Sequence, residues 1–185
     1  MKIYKKDLEL PKIIPNEVNH SYAFLRPYRK GGIKIEHEII NDKHIIHNYG
    51  HGGSAICLAY GCAYISTKIL TVKVESTKTN NIAVIGGGIV GITTALELLK
   101  RGYKVTIYAE RFSKIGELDS KNRLSSQINM HYWYPGYYEN EDPLKHELLA
   151  KLSYDYFKDC IKTSRYQSIS WLNCYNKGPK NDDMQ

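Results

Sequence analysis

The stretch Asn81 to Glu110, NIAVIGGGIVGITTALELLKRGYKVTIYAE, decides the fold class of this chain. Ile82-Ala83-Val84-Ile85 is an apolar run that predicts a buried strand of a parallel sheet. It leads straight into Gly86-Gly87-Gly88-Ile89-Val90-Gly91. Ile92, Ala95, Leu96 and Leu99 then recur at i, i+3, i+4 and i+7, which predicts a helix packed on the sheet by that stripe. Gly102 lies just past its end, where a left-handed cap strains glycine least. Lys104 to Ala109 is a second apolar strand, closed by Glu110. The whole is one βαβ unit with a G-x-G-x-x-G turn inside it.

Each part of that turn has a physical task. Gly86 permits the sharp exit from the strand, Gly88 leaves its backbone open to a pyrophosphate, and Gly91 lets the helix lie close to the sheet. Ile89 and Val90 open the helix, where unpaired N–H groups and the positive end of the dipole meet the phosphates. Glu110 falls about 20 residues beyond the glycines, where a carboxylate accepts the protons of two ribose hydroxyls. A glycine turn that binds nothing would explain the turn but not the acid. The unit predicts a dinucleotide, and Glu110 admits either FAD or NAD.

Composition sets outer bounds. A chain of 185 residues suffices for one domain that buries about 70% of its unfolded surface, and is short for a two-domain enzyme. No run approaches the ~18 apolar residues of a membrane span. The opening MKIYKKDLELPKII is basic and lacks an apolar core, so no signal peptide is expected. Cys57, Cys62, Cys160 and Cys174 form no C-x-x-C pair, which points to free thiols in a reducing compartment, the cytoplasm. The net charge of +7 comes from scattered lysines without a nucleic-acid-binding module, so no nucleic-acid partner is expected.

Residues 1 to about 20 are read as a leader. Ile33, Ile35 and His37 alternate with Lys34, Glu36 and Glu38, predicting a half-buried strand. Asn41-Asp42-Lys43 is a turn, and His44 to His47 a second strand that pairs with the first as a hairpin. Asn48-Tyr49-Gly50-His51-Gly52-Gly53 is a glycine loop. From Ser54 to about Leu70, Ile56, Ala59, Tyr60, Ala63, Thr67 and Leu70 share one helical face. This is a second strand–glycine loop–helix passage, whose amides suit a flavin or its phosphates. Residues 71–80, TVKVESTKTN, are polar and read as a linker.

Beyond Glu110, the aromatic segment His131 to Tyr138 is read chiefly as core and loop packing, against base stacking or a substrate wall. Asp142-Pro143 is an N-cap followed by an N1 proline, and Leu144, Leu148, Leu152 and Tyr156 mark an amphipathic helix to about Lys162. Ser168 to Tyr175 is read as a strand. His47 and His51 flank a loop without a third ligand, so no metal is expected.

Arg26-Pro27-Tyr28-Arg29, Ile33-Lys34-Ile35-Glu36, His47-Asn48-Tyr49-Gly50-His51-Gly52-Gly53 and Tyr60-Gly61-Cys62-Ala63 together resemble the C-terminal signature of the D-amino-acid oxidase family of flavoenzymes. The resemblance covers about Phe24 to Leu70. The βαβ unit resembles that family too, including Tyr108-Ala109-Glu110-Arg111-Phe112, where the family shows an aspartate-arginine-phenylalanine run. It implies FAD as cofactor, a D-amino acid as small-molecule substrate, and Arg26 on its carboxylate as the catalytic candidate. It also implies cofactor contacts from Gly52, Gly53 and Ser54 beside those of Gly86, Gly88, Ile89, Val90, Gly91, Glu110 and Arg111. Two departures stand out: Ala55 replaces a family glycine, and Ser125-Ser126-Gln127 replaces a small-residue run.

The order of the pieces is reversed, since the family's closing segment here precedes its opening fingerprint. A permuted remnant, a window across a tandem and one part of a split enzyme all fit. The expected architecture is α/β: residues 1–75 as a hairpin–loop–helix segment and residues 76–185 as a Rossmann-type FAD-binding segment, with most of the substrate domain missing. The expected function is FAD-dependent oxidative deamination of a D-amino acid, alone or with a partner chain that supplies the substrate domain. The alternatives are a non-catalytic flavin- or nucleotide-binding module and an NAD-binding domain of another enzyme.

Overall fold

A computed structural model describes residues 23–75, 79–112, 124–127, 133–136 and 141–163. The predicted strand at Ser168 to Tyr175, the leader and Cys174 lie outside the described residues. Strands β1 (Lys34–Ile40) and β2 (Lys43–Tyr49) form an antiparallel hairpin. Helix α1 (Ala55–Val74) follows, then β3 (Asn81–Ile85), α2 (Ile89–Lys100), β4 (Lys104–Tyr108) and α3 (Pro143–Lys162). β3 and β4 are parallel, with Val84 opposite Ile107. The protein is therefore an α/β structure with a parallel strand pair.

The hairpin turns through Asn41 and Asp42, both at positive φ, 48° and 59°. That is the two-residue type I′ turn, whose twist matches the strands it joins. Ile33 and Ile35 are buried, and the alternation lapses beyond His37, where the hairpin tip leaves the core.

α1 is the central element, packing on β1, β2, α2 and α3. Its burial is wider than one stripe: Leu58, Cys62 and Ser66 are buried as well as Ala59, Ala63 and Thr67. Two findings correct the sequence reading here. At 20 residues, α1 is long and apolar enough by length and composition to cross a membrane. Lys68 and Lys73 hide this by breaking the apolar run without lowering its average much. The expected linker also begins later, because Thr71 to Val74 complete α1 and Val74 joins Leu70, Val84, Ala95 and Leu98 in a core cluster.

α1 and α3 cross at Gly61. A Cβ there would fall inside the van der Waals envelope of the Leu149 carbonyl, and the Gly61 N–H donates to Ser153 Oγ at 2.7 Å. The buried ridge of α3 is accordingly Leu149, Ser153 and Cys160, while Leu144 and Leu148 of the predicted stripe are exposed. Asp142 caps the helix, its carboxylate accepting the Lys145 N–H at 3.0 Å. Lys145 Nζ reaches the Ile33 carbonyl, tying α3 to the hairpin. Trp133 packs edge-on against Tyr154 and Phe157, in keeping with a packing role for that aromatic.

α2 also departs from its predicted stripe. Thr93, Ala95 and Leu98 are its buried residues, whereas Ile92, Leu96 and Leu99 are exposed. The reason is its partner: α2 packs along α1, with Thr93 against the Ala59 backbone. In β3 only Val84 is buried and Ile85 is 80% exposed, so this strand is less buried than its apolar run predicts.

Candidate functional site

Both glycine loops open on one cleft of about 1350 Å³, above the ~300–1,000 Å³ typical of small-molecule pockets. Gly52 and Gly53 line it from the loop before α1, and Gly86, Gly88, Ile89, Val90 and Gly91 from the turn before α2. Arg26 and Pro27 form part of the same wall. The structure thus brings together eight of the eleven sequence-predicted site residues. Ser54 lies wholly buried behind the loop. Glu110 stands at the tip of β4 with its side chain 87% exposed and 4.0 Å from Arg111, and neither lines the cleft.

The turn before α2 is shaped by sterics. Gly86 adopts φ 117°, and its N–H bonds to the Tyr108 carbonyl at 2.8 Å, closing the end of the β3–β4 ladder. A Cβ on Gly91 would collide with the Gly86 carbonyl, so helix and strand meet only because Gly91 has no side chain. Gly87, which the fingerprint leaves as a variable position, is also confined, though less tightly, beside Ala109 Cβ and the Arg111 carbonyl. Gly88 is the opposite case, with nothing within 4 Å of where its Cβ would be. No side chain caps α2 and its first turn carries no acid. The first N–H groups of α2 therefore face the cleft beside an open backbone, an arrangement that accepts a pyrophosphate.

The loop before α1 is held from behind. Gly50 and Gly52 take φ 91° and 54°, and the Gly52 N–H bonds to the Pro27 carbonyl at 3.1 Å. Arg29 donates to the Gly32 carbonyl at 3.1 Å and packs over Gly50, so its charge is structural. His51 is 1% exposed, and burial pulls its imidazole down to about 4, so it is neutral near pH 7. His47 bonds instead to Glu38 at 2.7 Å. Burial also pushes the Cys62 thiol up to about 12, leaving it unreactive.

Several residues on the cleft escaped the sequence reading. Asn48 Nδ2 donates to Thr94 Oγ1 at 3.2 Å, fastening the hairpin to α2. Among the described residues, buried Asn48 Oδ1 and Ser66 Oγ have no hydrogen-bond partner. Asn48 lies within the quoted His47–Gly53 motif, whereas nothing local marks Thr94 or Ser66. Ser125, Ser126 and Tyr134 also line the cleft, so the departure at 125–127 still places small polar residues on this wall.

Residues 81–175, just over half of the chain, match the model of the FAD-dependent oxidoreductase family. The chain belongs to this family. FAD is the cofactor of these oxidoreductases, and the open backbone at Gly88, the uncapped start of α2 and the glycine-lined wall at Gly52 and Gly53 fit its pyrophosphate and planar ring. Among curated relatives, a D-amino-acid oxidase from Fusarium vanettenii is 50% identical over 40 residues, 21% of this chain and 11% of that protein. An FAD-dependent monooxygenase from Aspergillus terreus is 64% identical over 28 residues, 15% of this chain and 6% of that protein. The shared stretches thus span about a tenth or less of these relatives. No solved structure matches the chain.

Proposed function

We propose that this oxidoreductase binds FAD across the cleft in a Rossmann-type manner and serves the oxidative deamination of a D-amino acid. In this reading residues 76–185 form the dinucleotide-binding segment. Residues 1–75 supply the second cofactor wall, and a partner chain completes the substrate domain. The observation that carries it is the convergence of Arg26, Gly52 and Gly53 with the Gly86–Gly91 turn on one cleft. The 50% identity over 40 residues to a D-amino-acid oxidase supports a D-amino acid as the substrate class.

FAD held in the cleft would supply the hydride acceptor, with dioxygen as terminal oxidant and hydrogen peroxide as its product. The amino acid loses a hydride from Cα and a proton from nitrogen, and water hydrolyses the resulting imino acid to a keto acid and ammonia. Arg26 holds the substrate carboxylate, because its planar fork matches two oxygens and stays charged at working pH. The N–H groups of Ile89, Val90 and Gly91 offset the pyrophosphate charge. Gly52 and Gly53 keep the opposite wall free of side chains. His51, neutral near pH 7 and shut behind the loop, exchanges no proton with substrate. Cys57, Cys62 and Cys160 are buried and form no disulfide, which suits the cytoplasm, where we place the protein, without a membrane or nucleic-acid partner.

The test is the visible spectrum of the purified chain with FAD and then D-alanine under anaerobic conditions. The expected result is a bound-flavin band that bleaches with D-alanine and recovers with oxygen. Arg26→Ala should then raise KM about ten-fold or more through loss of the carboxylate contact. A stable band that no D-amino acid bleaches, with or without a partner, would establish a flavin-binding module instead. Failure to bind FAD would overturn the whole reading.

A further inference from the structure

We propose that His37 and His44 form a two-imidazole site for a divalent ion of the late first-row transition metals, such as Zn(II) or Cu(II). The inference rests on the hairpin alone and stands apart from the proposed reaction. In the hairpin register His37 lies opposite Ile46, and His44 lies opposite Ile39. Directly paired residues share one face of an antiparallel ladder, so the two histidines are diagonal neighbours on the same face. His37 Nε2 is 3.0 Å from His44 Nδ1. His47 and Glu38 bond to each other on the opposite face and take no part.

The spacing is that of two nitrogens on one ion. Two imidazoles bound at ~2.05 Å and subtending a right angle place their nitrogens ~2.9 Å and their ring centroids ~4.7 Å apart. At the tetrahedral angle the same distances are ~3.3 Å and ~5.2 Å. The observed nitrogens are 3.0 Å apart and the centroids 5.1 Å, between those limits. Without an ion, two neutral rings this close share one proton, since one must donate and the other accept. The ion takes that proton's place. The donating ring shifts its proton to its other nitrogen, and both facing nitrogens then present lone pairs. A neutral pair therefore binds the ion with no net release of protons.

The fold holds the pair in place. The Asn41-Asp42 turn sets the register, and Ile46, opposite His37, packs on the core cluster that contains Leu70 and Val74. Partial burial, and then the neighbouring His44 and Lys73, hold the His37 imidazole below its usual range, so it is neutral and able to ligate near pH 7. Lys73 of α1 also lowers the affinity for any cation. Hard ions such as Ca(II) and Mg(II) need several oxygens and do not suit the pair, whereas imidazole suits Zn(II), Cu(II) and Ni(II). Among the described residues no three or more His, Cys, Asp or Glu gather into one group, so water fills the remaining positions on the ion. His44 also lines the cleft, but it precedes Tyr49 by ~16 Å along β2, so an ion there leaves the glycine loop to the cofactor.

The experiment adds Zn(II) alone to the full chain without FAD, in a non-coordinating buffer near pH 7, and follows the imidazole nitrogens by NMR. The expected result is that the resonances of His37 Nε2 and His44 Nδ1 shift together and saturate at one ion per pair. His37→Gln and His44→Gln should each weaken binding at the remaining ring by about ten-fold or more, at an unchanged circular dichroism spectrum. His47→Gln should leave binding at the pair unchanged. Four results would overturn the proposal. They are no shift at either ring, a shift at one ring only, single variants that bind as tightly as the parent chain, and loss of binding in His47→Gln. Because FAD is absent throughout, a failure of cofactor binding would leave this outcome standing.

Discussion

Two passages of this chain share one plan, a strand that runs through glycines into a helix, yet they end in opposite environments. After β2, the loop is clamped by Pro27 and Arg29, His51 is sealed beneath it, and α1 is packed from several sides. After β3, the turn is tight at Gly86 and Gly91 and open at Gly88, and α2 leaves Ile92, Leu96 and Leu99 exposed. Glycine serves different ends in the two. At Gly61 its missing side chain lets a second helix approach, and at Gly88 it leaves room for a ligand. The first passage makes the core; the second offers that core's edge to a cofactor.

The contrast is most easily broken by adding side chains. Gly61→Val should destabilise the fold by about 3 kcal/mol, read from urea denaturation, because the Leu149 backbone cannot move aside cheaply. If Gly61→Val were neutral, α1 and α3 would not be packed as closely as their crossing implies.

A pH series examines the sealed loop. His51 titrates near 6.5 when unfolded and at about 4 when folded, so below pH 6.5 the unfolded chain binds the extra proton. Stability should be level above that value and fall by roughly 3 kcal/mol as pH drops from 6.5 to 4. His51→Asn should remove that component, seen as a flatter dependence of the urea midpoint on pH. An unchanged slope would mean that His51 is not sealed.

Smaller effects sharpen the comparison. Asp142→Ala removes the cap of α3 and should lower stability by about 1 kcal/mol in the same urea assay. Gly88→Ala should change stability by less than about 0.5 kcal/mol, because no atom lies near the new methyl. Its effect should appear in fluorescence titration with FAD, as about a ten-fold loss of affinity. Equal stability losses at Gly88 and Gly61 would erase the distinction between the two passages.

Much of this was legible in the residues, and the failures share one cause. The hairpin, its turn at Asn41-Asp42, the βαβ unit, the positive φ of Gly86 and Gly102 and the Asp142 cap all depend on a few neighbouring residues, so the sequence displays them. The buried faces of α2 and α3 differ from their apolar stripes. Small residues decide it instead: Thr93 and Ala95 sit against α1, and Gly61 lies against Ser153 and the Leu149 backbone. A small side chain carries little weight in a hydrophobic pattern and great weight where two backbones meet. Asn48 was visible within its motif, but its bond to Thr94 spans 46 positions and leaves no local trace.

By itself, the sequence determined the α/β elements, the glycine turn suited to a dinucleotide and the likeness to flavin oxidases, since each is set by backbone sterics and short-range spacing. Only the tertiary structure decided that Gly52 and Gly53 meet Gly86 to Gly91 across one cleft, and that Glu110 and Arg111 stand outside it. Those outcomes depend on how α1 packs against α2 and the hairpin, and packing between distant segments is a property of shape that no local pattern encodes.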